Sequence, residues 1–401
     1  MGQGIFDGLK VIDCASFIAA PAAATVLSDF GADVIKVEPP GEGDTYRNLY
    51  KMPGMPTTEL NYPWELASRN KRSLCLDLKS EDGLAVLRNL VGQADVFITN
   101  LPLPVRRRLK VTYEDLGPLN PRLIYGSFTA YGEVGDEAEK TGFDSTAYWA
   151  RSGLMDLVRA DADAAPARSV PGMGDHPSAM GLYGGIVTAL YRRERTGLGG
   201  LVSSSLLANG LWANGFFVQA ALAGLAVPPR PKREQGTNAC TSIYRCADGR
   251  WFILTLLNEE RQFLPLLQLI GRPELADDPR FATQAARRAN APALIAAFDG
   301  AFMAQPLAHW RAALDAAGIT FGLIGTLDDI ADDAQMRMAE ALVPFAGEDA
   351  LTISSPFLID GETKTQPRRA PQLGQHNEDI LREAGYADAE IARLRQLGVL
   401  A

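Results

Sequence analysis

The sequence predicts an α/β protein, a doubly wound parallel-sheet domain accompanied by a smaller α+β unit. Two observations carry this. Apolar runs of strand length alternate with helix-like runs over the first third of the chain, an order that builds parallel β-α-β units. The 401 residues also exceed what one hydrophobic core organises, since single cores stop growing at about 250–300 residues.

The elements follow in order. KVIDCA (10–15) reads as a buried strand, PAAATVLSDFG (21–31) as a helix stopped at Gly31, and ADVIKVE (32–38) as the next strand. SLCLDL (73–78) is a third strand, followed by a helix for which Ser80 supplies the cap before Glu81 and Asp82. ADVFITN (94–100) and RLIYGSF (122–128) continue the pattern. The first strand-to-helix connection runs Asp13-Cys14-Ala15-Ser16-Phe17-Ile18-Ala19-Ala20-Pro21 and lacks G-x-G-x-x-G, which argues against a nicotinamide site. Stretches 51–63 and 160–174, rich in Pro with Met and Thr or with Ala and Gly, read as long loops of the kind that close over sites. A helix is expected from about Pro177 to Arg193.

Leu206 to Val227 carries no charge and is about long enough to span a bilayer, but Asn209, Asn214 and Gln219 interrupt it. Amides inside a lone apolar stretch suit one long buried helix in a core or subunit interface better than a membrane span. PPRPKREQG (228–236) then marks a boundary. Beyond it a hairpin turning at Asp248-Gly249 and helix-like runs form the smaller unit, 236–330.

With 47% apolar and 22% charged residues the chain is globular in composition, and its net charge of −9 argues against nucleic acid as a partner. The four cysteines form no CxxC pair and the three histidines stand far apart, so no metal site is expected. The first residues show no basic-then-apolar signal pattern; a cytoplasmic place with reduced thiols is the expectation.

Five stretches, in order along the chain, resemble the class III (family III) coenzyme A transferases, a family that also holds formyl-CoA transferases and α-methylacyl-CoA racemases. They are LKVIDCASFIAAPAAATVLSDFGADVIKVEPPGEGD, SRNKRSLCLDLKSEDG, the run from ADVFITN to LNPRLIYGS, GDHPSAMGLYGGIVTALYRRERTGLGGLV, and RRAPQLGQHNEDILREAGY. The resemblance implies a large domain split between residues 1–204 and 331–401, a linker helix at 205–235, and a homodimer of two interlocked rings. It further implies an acyl-CoA donor and a carboxylic acid acceptor as substrates, and no tightly bound cofactor.

Within Gly174-Asp175-His176-Pro177-Ser178, Asp175 taken alone is a helix cap with proline in the first turn. The resemblance places the family's nucleophilic aspartate there. A carboxylate in that role attacks an acyl-CoA thioester to give a mixed anhydride, and passes through an aspartyl-CoA thioester that an acceptor acid resolves. An ionised carboxylate needs no base, so His176 reads as helix-start packing, with Asp144 and Asp156 as reserve carboxylates.

For CoA, the resemblance selects Asn100 and Arg108, Lys71 and Arg72 in the matching RNKRS segment, and Phe17, Ile18 and Ala19 in the first loop. It leaves Phe143, Tyr148 and Arg151 in GFDSTAYWARSG, with Gln235 and Asn238, as acid-contacting candidates; Arg151 is either a second-carboxylate partner or a structural ion pair. Related racemases carry histidine in the triplet that here reads Gly142-Phe143-Asp144, and phenylalanine transfers no proton, which counts against racemisation. An acyl-CoA-binding homologue without turnover is the non-enzymatic alternative.

Overall fold

The computed structural model describes residues 4–56 and 58–400. They divide into two compact units: the first comprises residues 4–155, 168–225 and 335–400, and the second residues 156–167 and 226–334.

The first unit is built on a six-stranded parallel sheet ordered β3-β2-β1-β4-β5-β6. Its strands are β1 (Lys10–Asp13), β2 (Asp33–Glu38), β3 (Arg72–Cys75), β4 (Val96–Thr99), β5 (Ile124–Thr129) and β6 (Gly200–Ser205). The chain leaves β1 in one direction across the sheet and returns to β4 on its other side, so the crevice at their carboxyl ends is a topological switch point. Strand β6, which the sequence reading did not assign, lies at an edge. Its GLVSSS run holds too few apolar residues to look like a buried strand, and only Ser205 is buried.

Helix α1 (Ala19–Asp29) is buried at all eleven positions. Its alanines leave room for it to pack against β1, β2, β4 and helix α5 (Asp175–Thr196) at once. On the opposite side, α3 (Glu81–Gly92) is capped by Ser80, whose side chain accepts from the Gly83 N–H as its sequence foretold. Leu87, Phe97, Tyr125, Leu381 and Leu400 share one buried cluster there. Burying each such side chain is worth about 1.5–3 kcal/mol, which ties the carboxyl-terminal helices α11 (Asn377–Glu383) and α12 (Asp388–Gln396) to the amino-terminal sheet. Asn377 Oδ1 and His376 Nδ1 also accept from the Cys75 and Ser73 amides on the edge strand β3.

The single buried helix expected over 206–227 is corrected. Asn214 breaks it into α6 (Leu206–Ala213) and α7 (Gly215–Leu222), and its Nδ2 donates to the Ser152 carbonyl at 2.8 Å. Trp212, Phe216 and Leu222 are 87%, 83% and 76% exposed in the single chain. An apolar composition pointed to burial, but within the single chain this face is left uncovered. No single described helix is long and apolar enough to cross a membrane.

The second unit has an antiparallel sheet, β7 (Ile243–Arg245), β8 (Trp251–Leu254) and β9 (Phe321–Leu323). The first two form the expected hairpin, with Gly249 at φ +80° in its turn. Helices α8 (Glu259–Leu269), α9 (Ala291–Phe302) and α10 (Leu307–Ala316) supply the rest of an aromatic core of Tyr244, Phe252, Phe298, Phe302 and Trp310.

Candidate active site

Asp175 is the first residue of α5, and the cap position before it belongs to Gly174. The capping role that its local sequence suggested is therefore not the one it plays, because the helix begins one residue earlier than a capping aspartate would place it. Gly174 is required by crowding: a side chain there would come within 2.7 Å of the Tyr148 ring. Its N–H points at Asp144 Oδ2, 3.4 Å away. Asp144 opens a π-helical turn, Asp144–Ala150, that also carries the buried Tyr148. Turns of this kind are rare overall and are frequent at functional sites.

Burial and then the nearby charge of Asp144 push the Asp175 carboxyl up to about 7. The expectation of a fully ionised carboxylate at neutral pH is thus corrected. A helix amino terminus favours the anion by about 0.3–1 kcal/mol, whereas a rise from 3.8 to about 7 corresponds to about 4 kcal/mol against it. His176 is held below the usual imidazole range by burial and by the charge of Arg69. Its ring lies against Gly172, at φ +82°, which also adjoins Ile18.

Around this point the chain gathers aromatic rings. Phe17 meets Phe143 edge-on at 5.8 Å between centroids and approaches Tyr46 at 6.4 Å. Tyr46 in turn feels the charge of Asp175. Phe143 is 58% exposed, whereas Ile18 and Ala19 are buried at the start of α1. Phe17 has φ +63°, a left-handed conformation that bulky residues rarely adopt and that recurs at functional sites.

The expected CoA-binding side chains have separate fates. Asn100 lies just past β4 at the switch point and spans it: Oδ1 accepts from the Ser16 N–H at 2.8 Å and Nδ2 donates to the Ser16 carbonyl at 2.7 Å. Lys71 is buried, and its ammonium donates to Asp13 Oδ2, the Pro21 carbonyl and the Ala67 carbonyl at 2.7–2.8 Å, which uses all three protons. Burial lowers it to about 8. Arg72 forms ion pairs with Asp33 and Glu383.

In α4 (Leu103–Leu109), Arg106 is buried and donates to the Phe128 carbonyl at 2.8 Å, while Arg107 pairs with Glu139. Arg108 is exposed and forms no ion pair among the described residues. Arg151 pairs with Glu137 at 3.2 Å at the protein surface. Gln235 and Asn238 belong to the second unit, where Asn238 Oδ1 accepts from the Cys240 amide and from Arg288.

Sequence reasoning missed Asp13, Lys36, Asp44 and Tyr46. Lys36 and Asp13 are fully buried and Asp44 nearly so, and the Lys36 ammonium lies 2.9 Å from Asp44 Oδ2. The signal was present: a lysine inside ADVIKVE, on a parallel strand covered on both faces, has to find buried anions.

A sequence model described as CoA-transferase family III matches residues 6–377. The chain is 30% identical over 402 residues to the (R)-2-hydroxy-4-methylpentanoate CoA-transferase of Clostridioides difficile, covering 99% of each. It is 33% identical over 397 residues to the acetyl-CoA:oxalate CoA-transferase of Acetobacter aceti, covering 97% of this chain and 98% of that one. A crystal structure of a CAIB/BAIF family protein from Brucella suis superposes with a TM-score of 0.86 at 31% identity, covering 96% of this chain and all of that one. The chain belongs to CoA-transferase family III, and it is a CoA transferase that takes CoA thioesters as substrates.

Proposed function

We propose that this enzyme moves CoA between carboxylic acids through covalent intermediates on Asp175. The observation that carries the reading is the placement of Asp175: free of the capping role, at the amino end of a long helix, beside a partly exposed aromatic cluster near the switch point of the sheet. In the ionised form one carboxylate oxygen attacks the thioester carbonyl. The C–S bond breaks, CoA leaves as thiolate, and an acyl-aspartyl anhydride remains. The thiolate then attacks the aspartyl carbonyl and releases the donor acid, leaving an aspartyl-CoA thioester. The acceptor carboxylate reverses the sequence.

The amino end of α5 favours negative charge through its dipole and not through a row of free N–H groups, since His176 and Ser178 donate to the Gly172 and Gly174 carbonyls and Pro177 has no N–H. The Phe17 and Phe143 rings keep water from the anhydride. Arg108, which has no ion-pair partner among the described residues, meets the phosphates of CoA. Phe143 and Tyr148 line the acyl side, which favours acids with a branched or aromatic substituent, as in the relative acting on 2-hydroxy-4-methylpentanoate, over oxalate. The exposed face of α6 and α7 is covered by a second copy in a homodimer.

Incubation with acyl-CoA and no acceptor should leave CoA attached to the protein, with peptide mass analysis placing it on Asp175. Asp175→Asn should abolish adduct and turnover together. A folded Asp175→Asn protein with near-normal CoA transfer would overturn the mechanism.

A further inference from the structure

The connection after β1 is held in an unusual way. Beyond Cys14, whose N–H donates to the Ile98 carbonyl, its backbone amides and carbonyls are gripped by side chains at residues 15 and 16. The Ala15 N–H donates to Asp13 Oδ1 at 3.3 Å, and the Ala15 carbonyl accepts from the Lys36 ammonium. Both polar groups of the Ser16 backbone go to Asn100. Asp44 takes what remains: its Oδ1 accepts from Ser16 Oγ at 2.6 Å and from the Phe17 N–H at 3.3 Å, as well as from the Tyr46 N–H at 3.0 Å.

Asp44 is fixed in its turn. Lys36 lies 2.9 Å from its Oδ2 and 3.9 Å from Asp13 Oδ1, and Lys71 holds Asp13 Oδ2 at 2.8 Å. Four charged side chains, two of each sign and all buried, thus surround three residues of loop. Burying such a set is expensive unless every member is paired, and replacing it with apolar packing is often neutral or stabilising, so stability alone is a weak reason for keeping it. What the cradle holds is a strained conformation. Phe17 stands at φ +63°, a left-handed backbone that residues with a bulky side chain rarely adopt. That conformation turns the Phe17 ring onto Phe143 and Tyr46.

We propose that Asp44 is a positioning residue for acyl-CoA: through Ser16 Oγ and the Phe17 N–H it clamps Phe17 in the left-handed conformation that shapes the thioester end of the site. The inference rests on the reading that Phe17, Ile18 and Ala19 line bound CoA.

Ser16→Ala is the gentlest test, since it removes one clamp bond and leaves the Lys36–Asp44 pair intact. Losing one hydrogen bond to a charged acceptor should raise the KM for acyl-CoA about threefold to tenfold with kcat changed less than about twofold. A purely structural role would instead lower the melting temperature and leave the KM of the folded enzyme where it was. Phe17→Gly supplies the decisive background, because glycine adopts positive φ without strain and needs no clamp.

In that background Ser16→Ala should leave KM essentially unaltered. An unchanged KM with Phe17 present, or an equal rise in both backgrounds, overturns the clamp; the latter result means that Ser16 Oγ touches the ligand directly. Arg108→Ala, measured alongside, separates the two ways to fail. If Arg108→Ala raises KM and Ser16→Ala does not, the clamp alone is wrong; if neither does, the CoA-site reading falls and the clamp with it.

Discussion

If Asp175 is the nucleophile, its ionisation governs the first covalent step, and the structure sets the pH at which that step fails. Burial and Asp144 together move its carboxyl from 3.8 to about 7, so roughly half of the protein carries the reactive carboxylate at neutral pH. The rate of CoA-adduct formation in a single turnover without acceptor should therefore rise with pH through a midpoint near 7. Asp144→Asn removes a negative charge from beside Asp175 while keeping an oxygen that can accept from the Gly174 N–H. The sign follows directly: a neighbouring anion disfavours a second anion, so its removal lowers the Asp175 pKa and moves the midpoint to lower pH. Because burial is the larger of the two causes, the shift should be less than half of the whole rise, with the midpoint still above about 5. Rapid-quench measurement of protein-bound CoA across about two pH units below and above the two midpoints provides the assay. An unmoved midpoint in Asp144→Asn, or a wild-type midpoint below pH 5, would refute the reasoning.

The same shift has a consequence for stability. A carboxyl whose folded pKa lies above its unfolded value favours the fold below about 3.8 and loses that advantage as pH rises through about 7. Asp175→Asn should therefore stabilise the protein at pH 8, by up to about 4 kcal/mol, and leave stability unchanged near pH 3, as urea unfolding at the two pH values would show. Arg108→Ala should raise the KM for acyl-CoA with little change in kcat, the mark of binding shared by ground and transition states in steady-state kinetics. Lys71→Ala leaves Asp13 buried without one of its cations and should cost about 3–5 kcal/mol in denaturant unfolding. Trp212→Asp places a charge on the face proposed for the second copy and should yield a species of 43.2 kDa in light scattering where the parent should give twice that mass.

Local rules carried the sequence reading far. The Ser80 cap, the turn at Asp248-Gly249 and the β1-α1-β2 succession are written in residue types a few positions apart, and the structure has them where those residues stand. Strand β6 escaped because an edge strand of glycine and serine carries little hydrophobic signal. Asp175 was visible as a special residue, and its family resemblance gave it a role. Its environment was not visible, because Asp144 and Tyr46 are brought to it by separate loops.

Charge partners were the least legible feature. The RNKRS segment shows two adjacent cations, yet Lys71 ends against Asp13 while Arg72 reaches Asp33 and Glu383, since successive residues at a strand start point to opposite faces. Asn100 and Ser16 are 84 residues apart, and only the placement of β4 beside β1 turns an exposed-looking amide into the bridge across the switch point. Likewise, nothing in ADVIKVE names the anions that Lys36 finds. The sequence by itself determined the fold class, the helix and strand periods, and the residue types able to carry CoA transfer, because these depend on hydrophobic periodicity and local backbone chemistry. Which charges pair, which loop is held under strain, and how strongly Asp175 retains its proton were decided by the tertiary structure, because each depends on distances between segments that the chain order leaves free.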